Sequence, residues 1–236
     1  FDDVFERAQK AWDDICGIFE IEGATFTELT TFYSCVYRMY SYPNLYSENE
    51  GTNESPEWVY ASPYKGGRKT DGKLYVNNGF WDTYRTAWAA YALFTPSLDG
   101  ELLNGLIQHY DDNGWIPRWV APGGTSSMLR TSSDIIFADA YVKGVKFDYE
   151  AAFESMIRNG STVSNNVTNG GRAENETAIF TGYVTNSTQY GLSWTLEDYI
   201  SDYCIGVMAE KLGYTDEAAY YYNRAKFYVN MFHPTL

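Results

Sequence analysis

Apolar residues along the chain recur mostly at helical spacing. In residues 2–20, Val4, Phe5, Ala8, Ala11, Trp12 and Ile15 fall three and four positions apart, on one face of an α-helix. Thr25-x-x-Glu28 forms a capping box, each side chain satisfying the other residue's free backbone N–H. Behind it Leu29, Phe32, Tyr33, Val36, Tyr37 and Tyr40 make an amphipathic helix that Pro43 stops. The helical period lapses over residues 43–80. There Trp58-Val59-Tyr60 and Leu74-Tyr75-Val76 flank the turn-rich "KGGRKTDGK" and predict a β-hairpin inserted in a long loop.

Helices resume over 82–94, ended by Pro96, and over 98–112, where Leu102, Leu103, Leu106, Ile107 and Tyr110 form the stripe and Asn113-Gly114 the stop. After the loop "GWIPRWVAPGG", Ser132 or Ser133 caps a helix through Ile135, Ala138, Asp139 and Val142 to Gly144, and Asp148 opens another that ends near Arg158. Residues 159–194, rich in Gly, Ser, Thr and Asn, predict a loop long enough to be functional or mobile. Thr195-x-x-Asp198 caps a helix carrying Leu196, Tyr199, Ile200, Tyr203, Val207 and Leu212. Gly213-Tyr214-Thr215 then turns into a last helix with Ala218, Ala219, Tyr222, Ala225 and Met231, completing an αα-hairpin. The pattern predicts one all-α domain, incomplete, built of helix pairs with long loops between them and short strands.

Composition narrows the function. With 236 residues and 44% apolar content the chain is one large domain or part of a larger one. Aromatic residues reach 18%, with 22 Tyr and 7 Trp, side chains whose apolar face and polar tip suit amphipathic ligands such as sugars, although most of them serve to fill helix seams. A net charge of −14 argues against nucleic-acid and anionic-membrane partners, which need basic patches. No apolar run approaches the roughly 20 residues of a membrane span. The sequence begins at Phe1, inside a predicted helix and without an initiator Met, so either a presequence is removed or the chain is one piece of something longer.

Of three cysteines, Cys16, Cys35 and Cys204, none has metal-ligand spacing; Cys16 and Cys35 either bridge or join Cys204 as buried thiols. Sequons at Asn53, Asn159, Asn166, Asn175 and Asn186 predict glycosylated loops, hence a secreted or secretory-pathway protein.

Two stretches could carry chemistry. In "NNGFWDTYRTAW", Asp82 stands at a helix start, either as an N-cap with Arg85 as its ion partner or as a carboxylate beside the Trp81 indole that grips vicinal hydroxyls while the ring covers a sugar's C–H face. In "GWIPRW", Trp115 and Trp119 bracket Arg118 and its rigid fork of donors, as either a hydrophobic plug or a ligand wall. Asp13-Asp14 and Asp111-Asp112 point in different directions on a helix and read as solvated faces. His109 and His233 are too far apart in sequence to suggest a site, and there is no HExxH, phosphate loop or Ser-His-Asp arrangement.

These stretches, taken in order, resemble the α-mannosidases of glycoside hydrolase family 92. "FTELTTFYSCVYRMYSYPNLYSE" is similar to a helix near the start of that catalytic domain. "GFWDTYRTAW" resembles its Trp-Asp-x-Tyr-Arg motif and "GLIQHYDDNGWIPRWVAPGG" its Gly-Trp-x-Pro-Arg-Trp segment. "FADAYVKG" and "TLEDYISDYCIGVMAEKLG" also match, so nearly the whole chain is covered. The resemblance implies part of an (α/α)6 barrel, residues 1–236 being the N-terminal portion of a fungal-like catalytic domain. It implies an exo-acting, inverting, calcium-dependent enzyme that removes terminal α-mannose from N-glycans or mannans. Trp81, Asp82, Arg85, Trp115 and Arg118 would bind the sugar.

The catalytic carboxylates, the calcium ligands and a β-sandwich preceding the barrel are expected outside this chain, which alone would be inactive and would work with the remaining segments of the same enzyme. One departure stands out: Ser127-Met128-Leu129-Arg130-Thr131-Ser132 replaces the Cys-Met-x-Gly-x-His of many members, so no role of that cysteine or histidine carries over. Two other readings compete: a non-catalytic mannose-binding helical domain, and a structural domain whose aromatics are core and whose sequons are solubilising.

Overall fold

The computed structural model describes residues 1–232 and 235. His233 therefore lies outside the described residues. The chain divides into two compact units, Phe1–Asn44 and Leu45–Leu236.

The first unit is an αα-hairpin of α1 (Asp2–Cys16) and α2 (Phe26–Tyr40). The capping box forms as its sequence predicts: the Glu28 N–H donates to Thr25 Oγ1 at 3.4 Å, and Glu28 Oε2 accepts from the Thr25 N–H at 2.8 Å. The bond from the Thr25 N–H holds the Glu28 carboxyl below its ordinary pKa. Trp12 packs on Tyr37 and Phe19 on Phe32, with ring centroids 4.4 and 5.5 Å apart. α1 ends at Cys16, short of the expected residue 20, and Val4 and Phe5 of its apolar stripe are exposed. All three cysteines are free and Cys35 is exposed, so neither a bridge nor three buried thiols is found.

β1 (Asn44–Leu45) lies at the boundary between the units. In the second unit β2 (Glu48–Asn49), β3 (Trp58–Ala61) and β4 (Lys69–Asp71) form an antiparallel sheet in that order, with Tyr60 opposite Thr70. The hairpin therefore closes earlier than predicted, through Gly66 and Gly67 at φ +64° and +78°, a left-handed backbone that favours glycine. Leu74, Tyr75 and Val76, expected as the pairing strand, instead run as β5 (Tyr75–Val76), and Leu74 and Val76 pack with Tyr60 in a small core. His109 anchors this insertion from the helix below. Its Nε2–H donates to the Tyr75 carbonyl and its Nδ1 accepts from the Tyr64 hydroxyl, both at 2.8 Å, and burial pulls its pKa down to about 4. The expected solvated pair Asp111-Asp112 splits. The Asp112 side chain is buried and accepts from Ser62 Oγ at 2.5 Å and Lys65 Nζ at 2.7 Å.

β6 (Asn78–Gly79) precedes α3 (Phe80–Thr83) and α4 (Ala87–Phe94), two helices where one was predicted. Thr83 Oγ1 bonds Asn78 Oδ1 and receives the Trp88 indole N–H, both at 2.9 Å, local bonds that compete with a continuous helix. Pro96 does not merely end that pattern; it begins α5 (Pro96–Asn113), where its missing N–H costs nothing. β7 (Trp119–Val120) follows, then α6 (Ser133–Val142), α7 (Tyr149–Ser161) and α8 (Asn175–Thr181), the last lying inside the predicted loop 159–194. Neither Ser132 nor Ser133 caps α6 with its hydroxyl, whereas Asp148 caps α7 by accepting from the Ala151 N–H at 3.1 Å.

α9 (Gly191–Leu212) starts a turn before its predicted cap, so Thr195 lies inside the helix and donates to the Gly191 carbonyl at 2.8 Å. It pairs with α10 (Thr215–Ala225) as the predicted αα-hairpin, and a 3-10 turn spans Lys226–Met231. Phe80, Leu103, Leu106, Phe137, Met156, Ile205 and Met208 fill the core between these helices.

Candidate active site

The two motifs singled out in the sequence are joined by backbone. β6 pairs antiparallel with β7, placing Gly79 opposite Trp119 and Asn78 opposite Val120. A Cβ at Gly79 would fall 1.9 Å from Trp119 Nε1, so only glycine lets the indole lie against the strand. This ladder brings Trp81 and Arg118 onto one cleft of ≈ 790 Å³, lined also by Ser126, Met128, Leu129 and Trp194 among others. The volume is within the range of small-molecule sites.

Arg118 is buried in this wall. Its Nη1 donates to the Met128 carbonyl at 2.9 Å and its Nη2 to Ser126 Oγ at 3.2 Å, while its guanidinium lies 4.9 Å over the Trp194 ring. Burial lowers its pKa from the ordinary guanidinium value. Trp81 is half-buried, and its indole N–H finds no acceptor among the described residues. Asp82 is exposed and Arg85 stacks on Trp81; neither belongs to the residues lining the cleft itself.

The capping alternative for Asp82 is not found. Gly79 is the N-cap of α3, and Arg85 pairs with Glu197 at 3.6 Å rather than with Asp82. Trp115 stands away from the cleft lining: it is buried under Arg158, whose guanidinium is 4.7 Å from its ring, and a Cβ at Gly170 would come 2.5 Å from Trp115 Cβ. It supports the fold of the motif and does not reach the cleft.

Three contributors were not read from the sequence as site residues. Trp194 was hidden at the end of the predicted loop. Glu174 lines the cleft and organises its far rim. Its Oε2 accepts from the Thr185 N–H at 2.9 Å and Thr185 Oγ1 at 2.7 Å, and its Oε1 from Ser187 Oγ at 2.8 Å and from Thr188 Oγ1. These bonds, the one from Thr188 foremost, hold its pKa down at about 2, so it stays ionised and acts as a structural acceptor. Arg130, on the loop that departs from the family pattern, is fully buried and pairs with Glu197.

A second polar cluster lies beneath. Asp134, Asp198 and Asp202 converge on Arg172, whose Nη1 is 2.6 Å from Asp202 Oδ1, and Arg224 holds Asp202 through two bonds of 3.0 Å. Burial pushes the carboxyl of Asp198 up to about 7 and that of Asp134 up to about 6, against the pull of Arg172. A value near 7 would suit a general acid. The cavity beside Asp198, however, is only ≈ 20 Å³, room for one water and not for a sugar. The cation at the centre of these carboxylates is Arg172 itself. Among the described residues no group of three or more His, Cys, Asp or Glu side chains is arranged to hold a metal ion. The Arg172 guanidinium takes the place that a calcium ion would need among these carboxylates.

The five sequons divide. Asn53, Asn166 and Asn186 are exposed. Asn159 and Asn175 are buried, with their amide Nδ2 donating to Asp134 Oδ1 at 2.8 Å and to the Thr162 carbonyl at 2.9 Å. That nitrogen is the atom a glycan would take, so burial weighs against the expected glycans at these two positions.

The fold and site define a helical domain with short strands and a cleft walled by tryptophan and arginine. The chain belongs to glycosyl hydrolase family 92, whose catalytic-domain model matches residues 1–236. Among solved structures it resembles the family's inverting mannosidase from Bacteroides thetaiotaomicron, at 33% identity and a TM-score of 0.88, over 97% of this chain and 31% of that one. A second α-mannosidase of the family from that organism, also solved in complex with mannoimidazole, shares the fold at 24% identity and a TM-score of 0.83, over 100% and 30%. An uncharacterized secreted glycosidase of Arthroderma benhamiae is 24% identical over 98% of this chain and 26% of that protein. The chain thus spans between a quarter and a third of the length of these relatives, and its fold is part of an (α/α)6 barrel.

Proposed function

We propose that this chain is the N-terminal portion of the catalytic domain of a secreted, exo-acting, inverting α-mannosidase that removes terminal α-mannose from N-glycans or mannans. The carrying observation is the β6–β7 ladder, which sets Trp81 and Arg118 on one cleft of ≈ 790 Å³. Family membership supports glycoside hydrolysis, and the inverting mannosidase that this chain resembles supports the stereochemistry.

In this reading the Trp81 ring covers the apolar face of the sugar while the exposed Asp82 carboxylate accepts from its hydroxyls. Arg118 acts from within the wall. Its two bonds to Met128 and Ser126 fix the loop that closes the cleft's side. Inversion needs two carboxyl groups roughly 6.5–9.5 Å apart on either side of the scissile bond. We assign neither to this chain: Glu174 is locked by its hydroxyl partners, and Asp198 faces a cavity too small for sugar. Those groups and the calcium ligands belong to the remaining segments of the same enzyme, and calcium would supply coordination of sugar hydroxyls. Secretion is supported by the exposed sequons and by the fungal relative.

The test is hydrolysis of a methyl α-mannoside by the intact protein, followed by proton NMR. First release of β-mannose is expected, and it should stop on chelation of calcium. Release of α-mannose would refute inversion. Sugar binding without any release would favour a non-catalytic mannose-binding domain.

A further inference from the structure

Arg130 has a backbone φ of +71°, a left-handed conformation that glycine adopts freely and a side chain resists, and its guanidinium is fully buried. Both features are unfavourable unless the guanidinium makes specific bonds. It makes three. Nε donates to Ser201 Oγ at 3.1 Å, Nη1 donates to the Tyr84 hydroxyl at 3.4 Å, and Nη1 also pairs with Glu197 Oε2. The other oxygen of Glu197 lies 3.6 Å from Arg85 Nη2. Both guanidiniums lie near the Tyr84 ring, that of Arg85 at 4.7 Å and that of Arg130 at 4.8 Å from its centroid. Arg85 itself is 43% exposed in its side chain, yet its guanidinium lies 4.3 Å over the Trp81 ring. An exposed arginine with several rotatable bonds does not hold such a pose without a partner. Glu197, with 19% of its side chain exposed, is the partner that the structure provides.

We propose that Glu197 is a positioning residue for the Trp81 wall. It is held by the buried Arg130, and it draws the Arg85 guanidinium over the Trp81 indole. The relay Arg130–Glu197–Arg85–Trp81 sets the tilt of that ring and, through the single turn of α3, the position of Asp82. This inference rests on the sugar-binding reading for its consequence but not for its geometry, so two readouts separate them.

The experiment uses the intact protein, tryptophan-labelled with ¹⁵N, in which the indole resonance lost in Trp81→Phe identifies Trp81. Glu197→Gln and Arg85→Ala should each shift that resonance. Each should also weaken D-mannose binding about tenfold by calorimetry, and the double variant should be no worse than either single one, because both break one relay. Glu197→Asp should restore part of the affinity. An unmoved Trp81 resonance in folded Glu197→Gln overturns the relay, as do losses that add in the double variant. If Glu197→Gln fails to fold, Arg85→Ala decides alone: Arg85 is partly exposed, and an unmoved resonance there also overturns the proposal. A responding resonance in a protein that binds no mannose would uphold the relay and refute the sugar reading.

Discussion

Asp82 and Asp99 are both single carboxylates near the start of a helix, and they sit in opposite environments. Asp82 is exposed and no partner among the described residues claims it, so its removal should leave the fold alone. Asp82→Ala is expected to stay within about 0.5 kcal/mol of the parent in stability, as surface substitutions do. It should weaken mannose binding in the intact protein at least tenfold. A melting shift with unchanged affinity would make Asp82 structural instead. Asp99 is buried, neither of its oxygens has a hydrogen-bond partner among the described residues, and burial pushes its pKa up to about 7. A carboxyl whose folded pKa is raised holds its proton more tightly in the native state. Its contribution to stability is therefore fully present below about pH 4 and is lost as pH rises towards 7. Asp99→Asn removes that titration. Urea unfolding at pH 5 and pH 8 should show the parent losing more stability between the two than the variant does; equal losses would contradict the burial of Asp99.

At the scale of elements, the cleft depends on a two-residue ladder. Gly79→Ala would drive a methyl group into Trp119, an overpacking that typically costs about 1–3 kcal/mol, and would pry β6 from β7. The expected result is a lowered melting temperature together with lost mannose affinity, since Trp81 and Arg118 sit on the two sides of that ladder. A destabilised variant with full affinity would mean that the cleft does not need it. The same ladder shows what sequence could and could not reveal. Helix existence was legible wherever an apolar stripe coincided with a stop or a cap, as with Thr25/Glu28, Asn113-Gly114 and Asp148. Two helix starts behind a left-handed residue were not: α9 begins at Gly191 behind Tyr190, and α8 begins behind Glu174.

The two site motifs were each visible as clustered Trp and Arg, but their meeting is a long-range pairing of residues about 40 apart, which no local pattern encodes. Trp115 and Arg118 looked equivalent in "GWIPRW", and only the packing of Gly170 against Trp115 and of Arg118 against Trp194 separates a support from a wall. Arg130 was unreadable for a different reason: a buried arginine at a left-handed position breaks two local rules at once, and its compensation comes from Glu197 and Ser201, 67 and 71 residues away.

Over the whole molecule the sequons make the most direct test of the fold, because glycan occupancy reports the environment of each asparagine independently of sugar binding or catalysis. Asn159 lies inside α7 and completes the hydrogen bonds of Asp134, the carboxylate that Thr131 and Arg172 also hold. Asn175 opens α8 and ties it to Thr162. A glycan on either amide would replace one of its two N–H hydrogens with a bulky sugar, demanding space that the close-packed core lacks and displacing the buried hydrogen bond. Asn53, Asn166 and Asn186 incur no such cost. Peptide mapping of the protein made in a glycosylating host should therefore find sugar only at positions among those three. Asn186 is of particular interest, because its neighbours Ser187 and Thr188 bond Glu174 at the cleft rim. Occupancy at Asn159 or Asn175 in folded material would refute the packing of α7 and α8 described above. Occupancy confined to the exposed positions would support both that packing and passage through the secretory pathway.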